Sequence, residues 1–313
     1  MQRPQPHEAP EQTSMMKPAT AAVVEFEKLK AVVASRLDVA AAAVSFRPMS
    51  SDRAGGTGGQ SLVALTPSGP LHVKLINRQS MRQITLAEEF ELLAALAKLA
   101  IVPMPLFADD DLGLLVTRFL ESYQPPSPER IREASVLESI ARVLRQLHRT
   151  DFDVGIVSVP VVDIASSYVE SAKSADTLRP EDQRRARDLL AIAAEFDSQS
   201  DRAVLCHGDL VLDNLLLARS AETDGRGAVH DVKFVDFEYA RLAPSVWDLA
   251  SLSVFGRFDD RADRRLFEAY YEGAEPFSRT DFATVRRLVT LLAHFWALAA
   301  EQFEVNASRF RLI

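Results

Sequence analysis

Apolar and polar positions change their period along this chain of 313 residues. Residues 1–19 lack periodic apolar positions and are rich in Pro, Gln and Glu, so we expect a disordered leader there. A helical period starts near Ala22 and continues to Val33. Three β-rich runs then follow at 44–50, 60–67 and 70–76, separated by a glycine cluster and a turn. This order predicts a small antiparallel sheet.

The second part of the pattern is mostly helical. Residues 82–100 form an amphipathic run, a proline-containing loop is expected at 101–113, and 114–119 is typical of a strand. Ser127 and Pro128 are a good N-cap and first residue for the next helix. Another helical run covers 181–196, a short β section with a hairpin turn at Asp224 and Gly225 lies between 203 and 237, and three helices are expected after Pro244.

Together these elements predict an α+β protein of two lobes with a cleft between them. The first lobe, at 20–117, is a small antiparallel sheet with one key helix. The second, at 118–313, is larger and mostly helical. We expect the first lobe to bind a nucleotide and the second to carry the catalytic and substrate-binding groups.

Composition excludes several classes of protein. The net charge of −8 disfavours a nucleic-acid partner. Cys206 is the single cysteine, which rules out an intrachain disulfide and favours a reducing compartment. The N-terminal residues lack an apolar core of the signal-peptide kind, and the apolar run at 287–300 is interrupted by His294. We therefore expect a cytoplasmic protein without a membrane partner.

Polar and acidic residues concentrate in two short strings, HGDLVLDN at 207–214 and DFE at 236–238. Asp209 and Asn214 stand five positions apart in a loop, and Asp236 ends a strand. Two oxygen ligands and a free carboxylate are what Mg²⁺-assisted phosphoryl transfer requires. Protein kinases use the same spacing, with Asn five residues after the Asp of H-x-D and a later D-F-G. The alternative is a loop-capping aspartate and ordinary turn residues.

In these two strings the chain resembles the aminoglycoside phosphotransferase and choline kinase-like family, over about 44–252. The resemblance implies a protein-kinase-like fold that moves the γ-phosphate of ATP or GTP, with Mg²⁺, to a hydroxyl of a small molecule. That acceptor would resemble an aminoglycoside, choline or a sugar and could be cationic. The resemblance also implies that Asp209 is the catalytic base, that His207 braces its loop, and that Asn214 and Asp236 hold the metal.

Lys74 lies in the third β-rich run and, by the same resemblance, is the lysine that binds phosphate. Helical geometry selects its partner. At about 100° per residue, Glu89 falls on the stripe of Leu86 and Phe90, whereas Glu88 and Glu91 point away. A buried carboxylate needs a partner, so we predict a Lys74–Glu89 ion pair. A partly exposed boundary glutamate is the alternative.

The glycine cluster offers a candidate phosphate loop at Gly56, Thr57, Gly58 and Gly59, because glycines let backbone N–H groups approach an anion. It is not a Walker A motif, and a flexible hairpin turn explains it equally well. By resemblance, the strand at 114–119 is the hinge that offers its backbone to adenine, with Thr117 and Phe119 as candidates.

Several other residues have a structural interpretation. We expect Cys206, Trp247 and His294 in the core, and Asp248 as an anchor of the catalytic loop. His148 matches a histidine common in the family at that helix end, although a helix cap explains it equally well.

Two functional alternatives stay open. One is a two-metal phosphohydrolase that uses His207, Asp209, Asp213 and Asp236 as ligands. The other is a non-catalytic nucleotide-binding relative.

Overall fold

The computed structural model describes residues 18–49, 59–76, 82–151, 155–156, 158–174, 178–198, 203–219, 229–272 and 279–300. Gly56, Thr57 and Gly58 of the candidate phosphate loop lie outside these ranges, as do the turn at 224–225 and residues 1–17 of the expected leader. Helix α1 (Pro18–Arg36) begins two residues inside that leader, so its final residues are helical rather than disordered.

The N-terminal sheet has the predicted antiparallel form. Its strands are β1 (Ser45–Pro48), β2 (Gly59–Leu65), β3 (Leu71–Ile76), β4 (Pro105–Asp109) and β5 (Leu114–Arg118). They follow the order β1-β2-β3-β5-β4. Strand β4 lies where a loop was expected, so that expectation was wrong. Its Pro105 is tolerated because β4 is an edge strand, and the register shifts between Pro105 and Phe107.

Helix α2 (Leu86–Leu96) starts at a capping box. The Thr85 hydroxyl accepts a hydrogen bond from the Glu88 amide at 3.2 Å, and the Glu88 carboxylate accepts from the Thr85 amide at 2.6 Å. Such reciprocal capping is worth about 1 kcal/mol. The box fixes the start of the helix, and thereby the orientation of the next residue, Glu89, toward the interior.

The C-terminal part is mostly helical, as expected. Its helices are α3 (Ala134–His148), α4 (Val161–Ser174), α5 (Pro180–Ser198), α6 (Val246–Phe255), α7 (Asp260–Tyr271) and α8 (Arg279–Ala300). Helix α4 was not predicted. Helix α3 starts at Ala134 rather than at Ser127, whose hydroxyl instead accepts from the Arg130 amide at 3.2 Å at a 3₁₀ turn.

Five short strands complete the fold: β6 (Tyr123–Gln124), β7 (Ala203–Cys206), β8 (Leu215–Ala218), β9 (Val232–Phe234) and β10 (Arg241–Pro244). They form a β6-β8-β9 sheet and a β7-β10 pair. Of these, β6 and β10 were not predicted. The pairings bring the segments after β7 and after β9 to the same place, because β7 leads into the loop at 207–214 and β9 into the DFE string.

Helix α8 is long and apolar enough over Asp281–Ala300 to cross a membrane, judged by length and composition alone. Its mean hydropathy is 1.2, and 61% of the segment is buried inside the protein. His294 accounts for part of this burial: its Nε2 lies 2.9 Å from an oxygen of the buried Asp182 on α5. The expectation of a core histidine is confirmed, and α8 packs as a core helix.

Candidate active site

The loop at 207–214 follows β7 through a turn that requires glycine. Gly208 has φ +88°, in the left-handed region, and a Cβ there would stand 1.9 Å from the carbonyl oxygen of Tyr239. The backbone of the DFE segment therefore passes directly against this turn. The close approach ties the two strings together at the start of the loop.

Asp248 lies at the start of α6. Its carboxylate binds backbone amides of the loop and so anchors the loop, as expected. Its Oδ2 accepts from the His207 amide at 2.8 Å, and its Oδ1 accepts from the Gly208 amide at 3.1 Å. His148 at the end of α3 lies 3.0 Å from Oδ2, and its other ring nitrogen is 2.6 Å from the Tyr270 hydroxyl. Burial would raise the pKa of Asp248, but the hydrogen bond with His148 and the amide of His207 lower it overall. The anchor is therefore ionised.

The side chain of His207 is fully buried and acts within the loop. Its Nε2 donates to the Val235 carbonyl at 2.9 Å, and its Nδ1 accepts from the Asp209 amide at 3.3 Å. These partners assign the proton to Nε2. Burial lowers the pKa of His207, in keeping with a neutral ring.

Asp209 and Asn214 lie together at the far end of the loop. The Asn214 amide nitrogen donates to the Asp209 carbonyl oxygen at 2.9 Å and to its Oδ2 at 3.2 Å. Asp236 lies two residues after the end of β9 and has φ +67°, a left-handed backbone that is uncommon outside glycine. The structure thus brings the candidate residues of the two strings to one place.

Lys74 reaches this place from β3 of the N-terminal sheet. Its ammonium pairs with Asp236 and, at 3.0 Å, with Glu238. Burial alone would lower the pKa of Lys74, but Asp236, Glu89 and Glu238 together raise it above its usual value. Lys74 is therefore held as a cation beside the DFE string.

The prediction of a Lys74–Glu89 ion pair is wrong. Glu89 is fully buried, as helical geometry indicated, but it pairs with Arg82, which lies just before α2. Lys74 is occupied by the two carboxylates of the DFE string, and Glu89 acts on it only at longer range. The segment before α2 supplies Arg82, which lies closer to Glu89 than Lys74 does.

Two cavities meet at the loop. The sheet-side cavity lies against β3, β5 and α2 and is lined by Lys74, Glu89, Thr117 and Phe119 among others. The helix-side cavity lies between α4, α6 and α8 and is lined by Tyr168, Asp209, Glu238, Trp247, Phe255 and Trp296 among others. Asp213, Asn214 and Asp236 line both cavities. A ligand in one cavity and a ligand in the other would therefore meet across these three side chains.

The candidate hinge residues Thr117 and Phe119 lie at the sheet-side cavity, but one of their backbone amides is already used within the protein. Thr117 and Phe119 line the sheet-side cavity, as do the other candidate nucleotide-binding residues Lys74 and Glu89. The Phe119 amide, however, donates to the Pro70 carbonyl at 3.2 Å, so this N–H is used within the protein. Gly59 is described as the first residue of β2, where its Cα pairs with Ile76 of β3.

Sequence reasoning missed several residues of the site. Arg82, Tyr168, Glu238, Arg241 and Trp296 carry no motif that could have identified them, except that Glu238 is the third letter of DFE. Trp247 is a core residue as expected, yet it also lines the helix-side cavity and donates from Nε1 to the Gly208 carbonyl at 3.2 Å. The guanidinium of Arg241 stands 4.8 Å from the centre of its ring.

The oxygen donors shared by the two cavities suit Mg²⁺. Asp236 offers a carboxylate whose pKa is lowered overall by Lys74, although burial alone would raise it. Asn214 uses its amide nitrogen on Asp209, which leaves its carbonyl oxygen as the atom for a metal. Hard oxygen ligands of this kind are what Mg²⁺ prefers, together with water and phosphate oxygens.

Comparison with known proteins gives a consistent picture. A family model described as phosphotransferase enzyme family matches residues 53–286. Protein LicA of Haemophilus influenzae is 27% identical over 209 residues, which cover 64% of this chain and 74% of that protein.

Two solved structures have the same fold. The choline kinase LicA of Streptococcus pneumoniae superposes with a TM-score of 0.71 at 20% identity, covering 89% of this chain and 91% of that chain. A structure of LicA in complex with AMP gives 0.69 at 18% identity, covering 91% and 95%. The protein-kinase-like α+β fold expected from the sequence is confirmed.

Proposed function

Because the chain belongs to the phosphotransferase enzyme family, we propose that it moves the γ-phosphate of a nucleoside triphosphate to a hydroxyl of a small molecule. ATP is the proposed donor, since a neighbour of the same fold binds AMP. In this proposal the nucleotide occupies the sheet-side cavity and the acceptor occupies the helix-side cavity. We further propose that the lobes divide between residues 117 and 118 and that the protein works in the cytoplasm.

One observation carries the proposal: the two cavities share Asp213, Asn214 and Asp236. Phosphoryl transfer requires a donor and an acceptor to approach in line, with the transferred charge neutralised between them. A single pocket would serve a binding protein. Two pockets that meet at oxygen ligands serve a transferase.

The residues take the following proposed roles. Asp209 orients the acceptor hydroxyl and receives its proton, with Asn214 bonded to its Oδ2. Asn214 and Asp236 would hold Mg²⁺, which supplies neutralisation of phosphate charge when bound. Lys74 leaves its carboxylate partners and binds the phosphates. His207 and Asp248 hold the loop in the geometry that aims Asp209.

The lining of the helix-side cavity suits an acceptor that carries a positive charge. Tyr168, Phe255 and Trp296 offer aromatic rings, and Asp209 and Glu238 offer carboxylates. Methylated ammonium groups bind to aromatic faces of this kind. Since Arg241 already stands over the ring of Trp247, we assign the ammonium to the side of Tyr168 and Trp296. A choline-like amino alcohol is the proposed acceptor class.

The two alternatives are weaker. A two-metal phosphohydrolase needs His207 as a ligand, but both of its ring nitrogens are hydrogen-bonded to backbone groups, one to the Val235 carbonyl and one to the Asp209 amide. A non-catalytic relative would not need Lys74, Asp209, Asn214 and Asp236 around two joined cavities.

The test is an ADP-release assay with Mg·ATP, in which choline, aminoglycosides, sugars and water alone are offered as acceptors. We expect choline or a related amino alcohol to be phosphorylated, and Asp209→Asn to abolish transfer while Mg·ATP binding persists in calorimetry. Asp188→Asn is the matched control, because Asp188 on α5 forms an exposed ion pair with Arg287 on α8. Full turnover by Asp209→Asn would refute the role of Asp209, and absence of Mg·ATP binding by the unchanged chain would refute the function.

A further inference from the structure

Five charged side chains, each exposed by 20% or less, form a row beside the two cavities. We call it the charge row: Asp236, Lys74, Glu238, Arg82 and Glu89. Lys74 forms ion pairs with Asp236 and, at 3.0 Å, with Glu238. Arg82 forms ion pairs with Glu238, at 3.0 Å, and with Glu89. The row thus alternates in sign and ends in a carboxylate on each side. It runs from the DFE string to helix α2.

Arg82 is fixed from several directions. Its Nε donates to the Ile84 carbonyl at 3.2 Å, and its two terminal nitrogens each take one carboxylate. The next amide, that of Gln83, donates to the Glu238 carbonyl oxygen at 2.9 Å. The segment that leads into α2 is therefore bound to Glu238 by both side chain and backbone. Burial would lower the pKa of Arg82, but Glu89 and Glu238 raise it overall, so the guanidinium is a permanent charge.

The row contains three carboxylates and two cations. In the proposed reaction Lys74 must leave Asp236 and Glu238 to reach the phosphates. Every carboxylate that lacks another partner then competes with phosphate for the ammonium, because an unpaired buried charge is costly. Glu89 already has one buried oxygen, Oε1, without a hydrogen-bond partner among the described residues.

We propose that Arg82 is a positioning residue for nucleotide binding: it occupies Glu89 and one side of Glu238, and so leaves Lys74 able to move to the phosphates. Without Arg82, two further negative charges would hold Lys74 in place. The inference rests on the proposed function only in requiring that the sheet-side cavity binds a nucleotide.

Two probes separate this role from a merely structural one. Mg·AMP-PNP carries phosphates that need Lys74, whereas adenosine fills the same cavity without them. We expect Arg82→Met to weaken Mg·AMP-PNP binding in calorimetry by about tenfold, which corresponds to about 1.4 kcal/mol, and to leave adenosine binding unchanged. A general loosening of the fold would weaken both probes alike.

A double variant gives a sharper test. Above pH 7, where Glu238 is ionised, Glu238→Gln removes a charge that holds Lys74. Arg82→Met combined with Glu238→Gln should there bind Mg·AMP-PNP more tightly than Arg82→Met alone. If Arg82 served only stability, losing a second member of the charge row would not improve binding. Should Arg82→Met fail to fold, Arg82→Lys keeps the charge but cannot hold both carboxylates, and an intermediate loss is expected.

Arg287→Met is the matched control, because Arg287 forms an exposed ion pair with Asp188, and it should bind both probes as the unchanged chain does. Three results would overturn the role of Arg82: unchanged Mg·AMP-PNP binding in Arg82→Met or Arg82→Lys, equal loss of adenosine binding, or no recovery in the double variant. If the unchanged chain bound neither probe, the proposed function itself would fail, and the inference with it.

Discussion

Replacing Asp248 with Asn should both destabilise the protein and disturb the loop at 207–214. The carboxylate accepts three hydrogen bonds, from the amides of His207 and Gly208 and from His148. An asparagine offers one acceptor oxygen. If that oxygen takes the place of Oδ2, the Gly208 amide faces an NH₂ group and loses its acceptor. The remaining two bonds lose the assistance of the negative charge.

The magnitude follows from these bonds. A buried donor left without a partner costs about 1–3 kcal/mol, and a bond to a charged group is worth about 1 kcal/mol more than a neutral one. We therefore expect Asp248→Asn to lower the free energy of unfolding by about 3–5 kcal/mol. Because a small displacement of a positioned group can cost about a hundredfold in rate, turnover should fall by about that factor.

Urea unfolding and steady-state turnover are the two measurements. Mg·ATP affinity is the internal reference, since Lys74 does not contact Asp248 and should still bind phosphate in the variant. Asp188→Asn, in its exposed pair, should change the free energy of unfolding by less than about 0.5 kcal/mol. A loss below about 1 kcal/mol in Asp248→Asn, with normal turnover, would refute the idea that this carboxylate holds the loop.

Two further predictions concern the turn at Gly208 and the carboxyl group of Glu238. Gly208→Ala should lower the free energy of unfolding in urea by about 3 kcal/mol or more, because the left-handed φ and the contact with the Tyr239 carbonyl both penalise a Cβ; a stable variant would contradict the observed turn. Burial first, and then Asp236, raise the pKa of Glu238 from 4.5 to about 7. The folded protein therefore holds a proton that the unfolded chain loses, and its unfolding free energy should fall by about 3 kcal/mol relative to Glu238→Gln as pH rises from 4.5 to 7. Parallel pH profiles of the two proteins would contradict this.

The grouping of the candidate residues in the loop at 207–214 could be predicted from the sequence because its geometry is local. His207, Asp209 and Asn214 lie within one stretch of eight letters, and a tight turn followed by a short strand leaves them few arrangements. The partner of Glu89 could not be predicted in the same way. Helical spacing correctly placed Glu89 in the interior, but spacing cannot say which cation arrives from another segment. Arg82 lies before the capping box, where the backbone follows its bonds to Glu238 rather than a helical period.

Two missed elements show different limits. Strand β4 contains Pro105, which argued against a strand, and only the sheet order reveals that it lies at an edge where a missing N–H costs nothing. Helix α4 did carry a signal: Val161, Ile164, Ala165 and Tyr168 repeat at helical spacing and are buried. That pattern was sufficient to predict a helix. The serines between the apolar positions made the helical period harder to recognise.

The charges around the two cavities say more about the ligands than the net charge of the chain does. Within the charge row, three carboxylates face two cations. At the cavity walls, Asp209 and Asp213 are matched in number by Arg118 and Arg241, so a surplus of one negative charge remains. A triphosphate alone would add negative charge to this surplus and bind poorly. The proposed divalent metal at Asn214 and Asp236 and the proposed cationic acceptor among Tyr168, Trp296 and Glu238 would both offset it. The same surplus explains why Arg82 matters: each buried carboxylate that it neutralises is one that no longer competes with phosphate for Lys74.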